Sequence, residues 1–197
     1  MKKIGILLKD TNNKMIIYNN IINYLSNYDI LLIGIIINDN YDFNKIRELI
    51  NLCDGFILIG SNNNKINNVI KYLYDIDKPT LAIGLGMQEM VRAFNGTVEL
   101  LDNNLHKNNN KYSHKINIKK DSILENIIGK NKIYVNSNHT FYVKETIFTV
   151  SSYSDDFIIE SIEDKNKIFF VGVQWNPEFL EKDINSKLLF NYFIDRC

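Results

Sequence analysis

The chain has 197 residues, of which 45% are hydrophobic and 23% are charged, as in an ordinary globular protein with a full core. Its 23 basic and 23 acidic residues cancel, which argues against nucleic-acid binding because the electrostatic footprint is missing. No stretch approaches the ~20 apolar residues of a membrane-spanning helix, so no membrane association is expected. Two cysteines form neither a disulfide framework nor a metal-ligand spacing, and we expect a cytoplasmic location with no metal and no cofactor.

The first half of the chain alternates apolar runs with segments whose apolar residues recur every three or four positions, which predicts strands and amphipathic helices. The predicted elements, alternately strand and helix, are 3–8, 15–25, 30–37, 43–50, 56–59, 66–73 and 80–83. The first apolar run is too short for a signal-peptide core. The run at 30–37 is nearly all β-branched and is expected to be covered on both faces. This alternation predicts right-handed crossovers and a parallel sheet that binds ligands beyond the carboxyl ends of its strands.

After residue 94 the predicted strands are short and closely spaced, which favours antiparallel pairing. They lie at 97–101, 114–118, 132–135, 147–151, 157–162 and 168–173, with helices at 121–129 and 183–196. No repeat, linker or composition break is present, so we predict one domain over residues 1–197. The predicted fold is α/β and flavodoxin-like, with a central mostly parallel sheet, helices on both faces and a small antiparallel β section.

The strand at 80–83 runs through a glycine-flanked corner directly into a helix. Strand, sharp turn and helix is the geometry of a nucleophile elbow, which holds one side chain in a strained backbone conformation above the sheet. The free backbone N–H groups at the start of such a helix favour an oxyanion or a carboxylate. The apex residue, Gly84, has no side chain, so the corner lacks a nucleophile.

Four segments follow one another in the order of a known family. They read Asp-Gly-Phe-Ile-Leu-Ile-Gly-Ser at 54–61, Ile-Gly-Leu-Gly-Met-Gln at 83–88, Val-Asn-Ser-Asn-His-Thr at 135–140 and Val-Gly-Val-Gln-Trp-Asn-Pro-Glu at 171–178. They resemble, in turn, the oxyanion-side strand and loop, the Gly-Ile-Cys-Arg-Gly-Met-Gln elbow, the Val-Asn-Ser-x-His-His segment and the Gly-Val-Gln-Trp-His-Pro-Glu motif. These belong to class I glutamine amidotransferase-like proteins, most closely to the gamma-glutamyl-gamma-aminobutyrate hydrolase (peptidase C26) branch.

The resemblance places Gly84 at the position of the catalytic cysteine, Asn176 at that of the histidine and Glu178 at that of the carboxylate. In the family a cysteine thiolate, assisted by the imidazole, attacks a gamma-glutamyl amide. Glycine has no nucleophilic atom, and asparagine does not shuttle a proton near neutral pH. The resemblance also implies a site for a small gamma-glutamyl or glutamine-like ligand. Its residues are Gly60, Ser61, Leu85, Gln88, Ser137, Asn138 and His139.

Three hypotheses follow from these residues. The leading one is a catalytically inactive family member whose pocket binds a ligand or a partner protein. The second is a hydrolase or amidotransferase of altered mechanism that uses Ser61, Glu178 or an activated water. The third is a structural module that acts through a homodimer or a partner surface, with Leu85 and Met87 filling the pocket.

The three histidines have no shared pattern in the sequence. His106 and His114 stand in a polar loop and in a strand, and we assign them no role. His139 is interpreted either as a pocket residue, from its place in the resembled segment, or as a hydrogen-bonded loop histidine. Cys53 lies at the entry edge of its strand, away from the predicted site, and is expected to be a buried structural thiol.

Overall fold

A computed structural model of the chain describes residues 1–11, 14–37, 42–60, 66–102, 104–108 and 110–197. The strands of its first half are β1 (Lys2–Leu7), β2 (Lys9–Thr11), β3 (Lys14–Ile16), β4 (Ile30–Ile35), β5 (Gly55–Leu58) and β6 (Thr80–Ile83). Those of its second half are β7 (Thr97–Leu100), β8 (His114–Ile118), β9 (Lys132–Val135), β10 (Phe141–Glu145), β11 (Thr149–Ser154), β12 (Ile159–Glu163) and β13 (Phe170–Val173). The helices are α1 (Asn19–Leu25), α2 (Phe43–Asn51), α3 (Ile66–Asp75), α4 (Leu85–Ala93), α5 (Ile123–Ile128) and α6 (Ile184–Arg196), with a 3-10 turn at Pro177–Phe179.

The described strands form one central sheet in the order β4-β1-β5-β6-β13-β12-β11-β8-β9, together with the small pairs β10-β7 and β2-β3. The five strands from β4 to β13 are parallel, and the pairings from β13 through β12, β11 and β8 to β9 are antiparallel. The sequence prediction of a mostly parallel sheet with a small antiparallel section is confirmed. Strand β13 is the last strand in sequence but lies beside β6, so the motif at 171–178 comes next to the corner at Gly84.

Both faces of the sheet are covered. Successive side chains of a strand point to opposite faces, and Ile57 and Leu58 of β5 accordingly belong to two different apolar clusters. The cluster around Ile57 includes buried residues of α1, α5 and α6. The cluster around Leu58 includes buried residues of α2, α3 and α4. Helices α2 and α3 each bury one apolar stripe in this way, whereas α4 is buried around most of its circumference. Burial of apolar surface is the main source of helix stability in a protein.

Two elements of the first half differ from the prediction. The helix predicted at 15–25 begins only at Asn19, because residues 14–16 pair with residues 9–11 in a hairpin. The run at 30–37 contacts both apolar clusters, through Leu32 on one face and Ile35 on the other, but its coverage is incomplete: β4 is an edge strand of the sheet and Leu31 is 43% exposed. β-branched residues favour an extended backbone at an edge as well as in the centre of a sheet, so the run indicated a strand but not its position.

The sequence also missed β10, which pairs with β7 outside the main sheet. Val143 is the one buried residue among its five. The segment therefore lacks the alternation of apolar and polar residues that indicates a strand. The longest described helix, α6, has 13 residues, and none of the helices in the described ranges has the length and apolar content to span a bilayer.

Candidate active site

Strand β6 and helix α4 meet at Gly84, the N-cap of the helix, which has φ +56° and ψ −114°. Glycine adopts a positive φ readily, whereas other residues hold it at a cost of about 1–3 kcal/mol. The N–H of Gly84 donates to the carbonyl of Val173 at 2.8 Å, which ties the corner to β13. The corner therefore has the backbone of a nucleophile elbow without a side chain at its apex.

The second glycine of the corner, Gly86, allows α4 to approach β5. A Cβ atom at this position would overlap the carbonyl group of Leu58. Helix α4 consequently begins directly over the strand ends. The N–H of Leu85 lies in its first turn, where backbone donors have no acceptor within the helix, so a ligand oxygen is its natural partner.

Asn176 lies directly opposite Gly84. An ideal Cβ on residue 84 would be 3.6 Å from Nδ2 of Asn176 and 3.9 Å from its Oδ1, which are ordinary contact distances. Nδ2 of Asn176 donates to Oε1 of Glu178 at 3.0 Å. The backbone of Asn176 is held by Asn136, whose Oδ1 accepts from its N–H and whose Nδ2 donates to its carbonyl, both at 2.8 Å. Residues 84, 176 and 178 are therefore neighbours in space.

Glu178 is the charged member of this group, with only 6% of its surface exposed. Burial raises the pKa of its carboxyl group from 4.5 to about 7, and this outweighs the opposing hydrogen bonds from its own backbone and from Asn176. Oε2 of Glu178 has no hydrogen-bond partner among the described residues. A buried carboxyl group with one unused oxygen and a near-neutral pKa has the chemistry to bind an amine or to exchange a proton.

A cavity of about 920 Å³ is lined by Gly84, Asn176 and Glu178. One part of its wall is the segment 136–141, and its apolar lining includes Ile59 and Leu85. The volume and the mixture of apolar surface with a few polar groups are those of a site for a small organic ligand.

Most of the residues that the sequence assigned to ligand binding lie at this cavity. Those that line it are Leu85, Gln88, Ser137, Asn138 and His139. Gly60 is not among the described lining residues; it is buried, has φ +87° and lies against the side chain of Leu85. Ser61 lies outside the described residues. The roles of all seven in binding stay predictions.

A pair of buried amides at the cavity was not predicted from the sequence. Nε2 of Gln88 donates to Oε1 of Gln174 at 3.2 Å and to the carbonyl of Phe141 at 3.1 Å. Nε2 of Gln174 has no hydrogen-bond partner within the described ranges. Gln174 stands in the segment 171–178, so its place in that motif was the available signal.

A contact among the histidines was not predicted from the sequence either. His106 and His114, to which no role was assigned, lie with His139 around the carboxylate of Glu160. His139 also lines the cavity, so this contact adjoins the site. The four residues are widely separated in sequence, and no local pattern connects them.

Known proteins resemble the chain over much of its length. The family model described as Peptidase C26 matches residues 63–178. Gamma-glutamyl-gamma-aminobutyrate hydrolase PuuD of Escherichia coli is 29% identical over 139 residues, which are 60% of this chain and 54% of that protein. CTP synthase of Phytoplasma australiense is 25% identical over 187 residues, which are 77% of this chain and 34% of that protein. The chain thus spans about a third to a half of the curated relatives it matches.

Among solved structures, the glutaminase domain of Trypanosoma brucei CTPS with bound acivicin aligns with a TM-score of 0.77. The alignment covers 100% of this chain and 93% of that chain, with 17% sequence identity. At this identity the likeness shows a shared fold, that of the class I glutaminase domains, and the function rests on the residues of the site.

Proposed function

Since the chain belongs to the peptidase C26 family, within the class I glutamine amidotransferase-like superfamily, we propose that it is a catalytically inactive member whose cavity binds a small gamma-glutamyl or glutamine-like ligand. One observation carries the proposal: Gly84, Asn176 and Glu178 lie side by side in the lining of a cavity of about 920 Å³. The backbone around residues 84 and 176 is suited to presenting a thiol to an imidazole, but these residues are glycine and asparagine.

The chemistry of these residue types supports inactivity. Acyl transfer in the family needs an atom that attacks the amide carbonyl and a base that removes its proton. Gly84 supplies no such atom, and the carboxamide of Asn176 does not take up a proton near neutral pH. Loss of a triad nucleophile alone typically costs about 10⁴ to 10⁶ in turnover. Both losses together leave binding as the function that the site supports best.

The charges at the cavity suit an amino-acid ligand. Lys111 and Glu178 both line it, so its described lining includes a cationic and an acidic side chain. A glutamine-like ligand carries an α-carboxylate, an α-ammonium group and a side-chain carbonyl, which these charges and the N–H of Leu85 complement. The unused donor on Gln174 adds a further contact for a carbonyl or carboxylate oxygen.

Calorimetric titration with glutamine, glutamate and gamma-glutamyl-gamma-aminobutyrate tests the proposal. We expect binding of at least one of them without release of ammonia or amine. Gln88→Ala is expected to weaken that binding about tenfold, because it removes the side chain that holds Gln174 and the carbonyl of Phe141 in place. Asn68→Ala, which removes an exposed amide on α3 outside the cavity lining, is the matched control and is expected to bind as the unaltered chain does.

Absence of binding by all three compounds, or equal affinity in Gln88→Ala and Asn68→Ala, contradicts the assigned ligand class. Turnover by the unaltered chain contradicts its inactivity. The third hypothesis, a pocket filled by Leu85 and Met87, has less support. Met87 is fully buried in the core, and Leu85 lines an open cavity.

A second candidate is a hydrolase of altered mechanism, which the raised pKa of Glu178 favours. In this mechanism Glu178 takes a proton from a water molecule that attacks the carbonyl carbon of the gamma-glutamyl amide, and passes that proton to the amine that leaves as the C–N bond breaks. The expected result is slow amide hydrolysis whose rate rises through about pH 7, with that rise abolished in Glu178→Gln. A rate that is independent of pH, or that persists in Glu178→Gln, excludes this mechanism.

We propose that residues 1–197 act as one domain in the cytoplasm. A partner protein or a second copy of the chain is its proposed binding partner.

A further inference from the structure

All three histidines of the chain contact one buried carboxylate. Glu160, on β12, is fully buried. Its Oε1 lies 3.0 Å from Nε2 of His114, 3.4 Å from Nδ1 of His106 and 3.7 Å from Nε2 of His139. We call these four residues the histidine cluster. Oγ of Ser137 is 3.4 Å from Nδ1 of His106, but it donates to the backbone carbonyl of that residue at 2.8 Å.

Acceptors outside the cluster orient two of the imidazole rings. Nε2 of His106 is 3.0 Å from Oδ2 of Asp156, and Nδ1 of His139 is 2.9 Å from the carbonyl oxygen of Phe141. Each contact engages one ring nitrogen and leaves the other directed at Glu160. Histidines that bind a metal through one nitrogen are usually held through the other by a carboxylate or a backbone carbonyl. The cluster therefore combines contacts to Glu160 with contacts to outside acceptors that orient the rings of His106 and His139.

The separations between Oε1 of Glu160 and the three ring nitrogens, 3.0 Å, 3.4 Å and 3.7 Å, are close to those between donor atoms around a tetrahedral cation. With bonds of about 2.0–2.1 Å, the ligands of a tetrahedral zinc ion are about 3.3–3.4 Å apart. Donor atoms of His106, His114 and Glu160 all lie within 4.8 Å of one another, and His139 lies 3.7 Å from the same carboxylate oxygen.

Three buried atoms of the cluster are unsatisfied. Nδ1 of His114, Nε2 of His139 and Oε2 of Glu160 have no hydrogen-bond partner in the part of the chain that the structure describes. Leaving a buried polar atom unpaired is destabilising, most of all when the atom is charged. A cation bound to Nε2 of His139 and to the carboxylate of Glu160 gives these two groups a partner and balances the buried charge.

We propose that His106, His114, His139 and Glu160 bind a divalent transition-metal ion, with zinc as the expected ion. Imidazole nitrogens suit zinc, whereas magnesium and calcium prefer sites made of oxygen atoms. Four protein ligands leave no open coordination position, so the ion is structural. It ties the segment before β10, which carries Asn138 of the cavity wall, to strands β8 and β12.

Protons are the competing source of positive charge in the cluster. Burial lowers the pKa of His106, but the hydrogen bonds and charges of Glu160 and Asp156 outweigh burial and raise it. Burial likewise raises the pKa of Glu160, and the hydrogen bonds from His106 and His114 reverse that effect and lower it. A protonated histidine thus pairs with the carboxylate when no metal is bound, and a metal ion that binds among these groups displaces that proton.

Titration of the metal-stripped full chain with Zn²⁺ alone, and separately with Co²⁺ alone, tests the proposal. We expect one equivalent of Zn²⁺ to bind with a sub-micromolar Kd, and bound Co²⁺ to show the visible d–d absorption of a tetrahedral site. His114→Ala is expected to weaken Zn²⁺ binding by about 100-fold or more. Its side chain is 19% exposed, so the variant is expected to fold, which circular dichroism checks.

Cys53→Ser/Cys197→Ser is the matched control, because it removes the other strong zinc ligands of the chain and leaves the cluster intact. This variant is expected to bind Zn²⁺ like the unaltered chain. Absence of stoichiometric binding, or binding that survives His114→Ala and disappears with the thiols, overturns the proposal. Glu160→Gln is a second variant of the cluster; if it does not fold, His114→Ala alone decides. No readout depends on a ligand in the cavity, so failure here is distinct from failure of the proposed function.

Discussion

Gly84→Cys/Asn176→His is expected to hydrolyse gamma-glutamyl amides, whereas each single substitution is expected to remain inactive. A Cβ on residue 84 has room, since its nearest neighbour atom is 3.6 Å away on Asn176. The new imidazole would stand where Nδ2 of Asn176 now contacts Glu178, so the carboxylate is already placed to orient it. Release of gamma-aminobutyrate from gamma-glutamyl-gamma-aminobutyrate measures the result.

The matched control is Gly84→Ala/Asn176→His, which has the same backbone strain and the same imidazole but no thiol. Because residue 84 has φ +56°, both double variants are expected to lose about 1–3 kcal/mol of the free energy of unfolding. The cysteine variant is expected to exceed the alanine control by about 10³-fold or more in turnover. Equal, background rates in two folded double variants would show that the cavity has lost its fit to the substrate.

Glu178→Gln is expected to stabilise the protein at pH 8 and to leave its stability unchanged near pH 4. The carboxyl group has a folded-state pKa of about 7 and an ordinary value of 4.5, so the folded state binds its proton more tightly than the unfolded state does. The free energy of unfolding therefore falls as pH rises from about 4.5 to about 7. At 1.36 kcal/mol per unit of pKa, the penalty above pH 7 is about 3 kcal/mol.

Urea unfolding at the two pH values checks this expectation. Glutamine keeps an oxygen that accepts from Asn176 and places an uncharged amide where Oε2 has no partner, so it removes the charge and little else. Glu181→Gln is the control, because Glu181 is exposed and its charge is solvated. A stabilisation by Glu178→Gln that is the same at both pH values would show that the charge of Glu178 is not its cause.

The sequence predicted the fold well where one apolar pattern determined one element. Strands β6, β8 and β9 begin and end at the predicted residues, because each is a short apolar or alternating run between polar or turn-forming residues. It failed where tertiary pairing decided the outcome. The predicted start of α1 was wrong because residues 14–16 pair with residues 9–11. The edge position of β4 was not predicted, because the order of strands in a sheet is not encoded in any single strand.

For the site as well, some residues were predicted from the sequence and others were not. Gly84, Asn176 and Glu178 were identified from short contiguous motifs, and the parallel pairing of β6 with β13 brings those motifs together. The amide pair of Gln88 and Gln174, by contrast, joins residues from two motifs across the sheet. The contacts of the histidine cluster depend on the antiparallel registers that bring distant segments side by side, and propensities and spacings carry no information about such registers.

His139 belongs both to the lining of the cavity and to the histidine cluster, and the backbone N–H of Gln174 donates to the carbonyl of Glu160 at 2.8 Å. An occupant of the cavity and an ion in the cluster would accordingly share one wall. Thermodynamic linkage then requires that the two effects be equal. If the ion changes the affinity for the small molecule by some factor, the small molecule changes the affinity for the ion by the same factor. Measuring either effect determines the other.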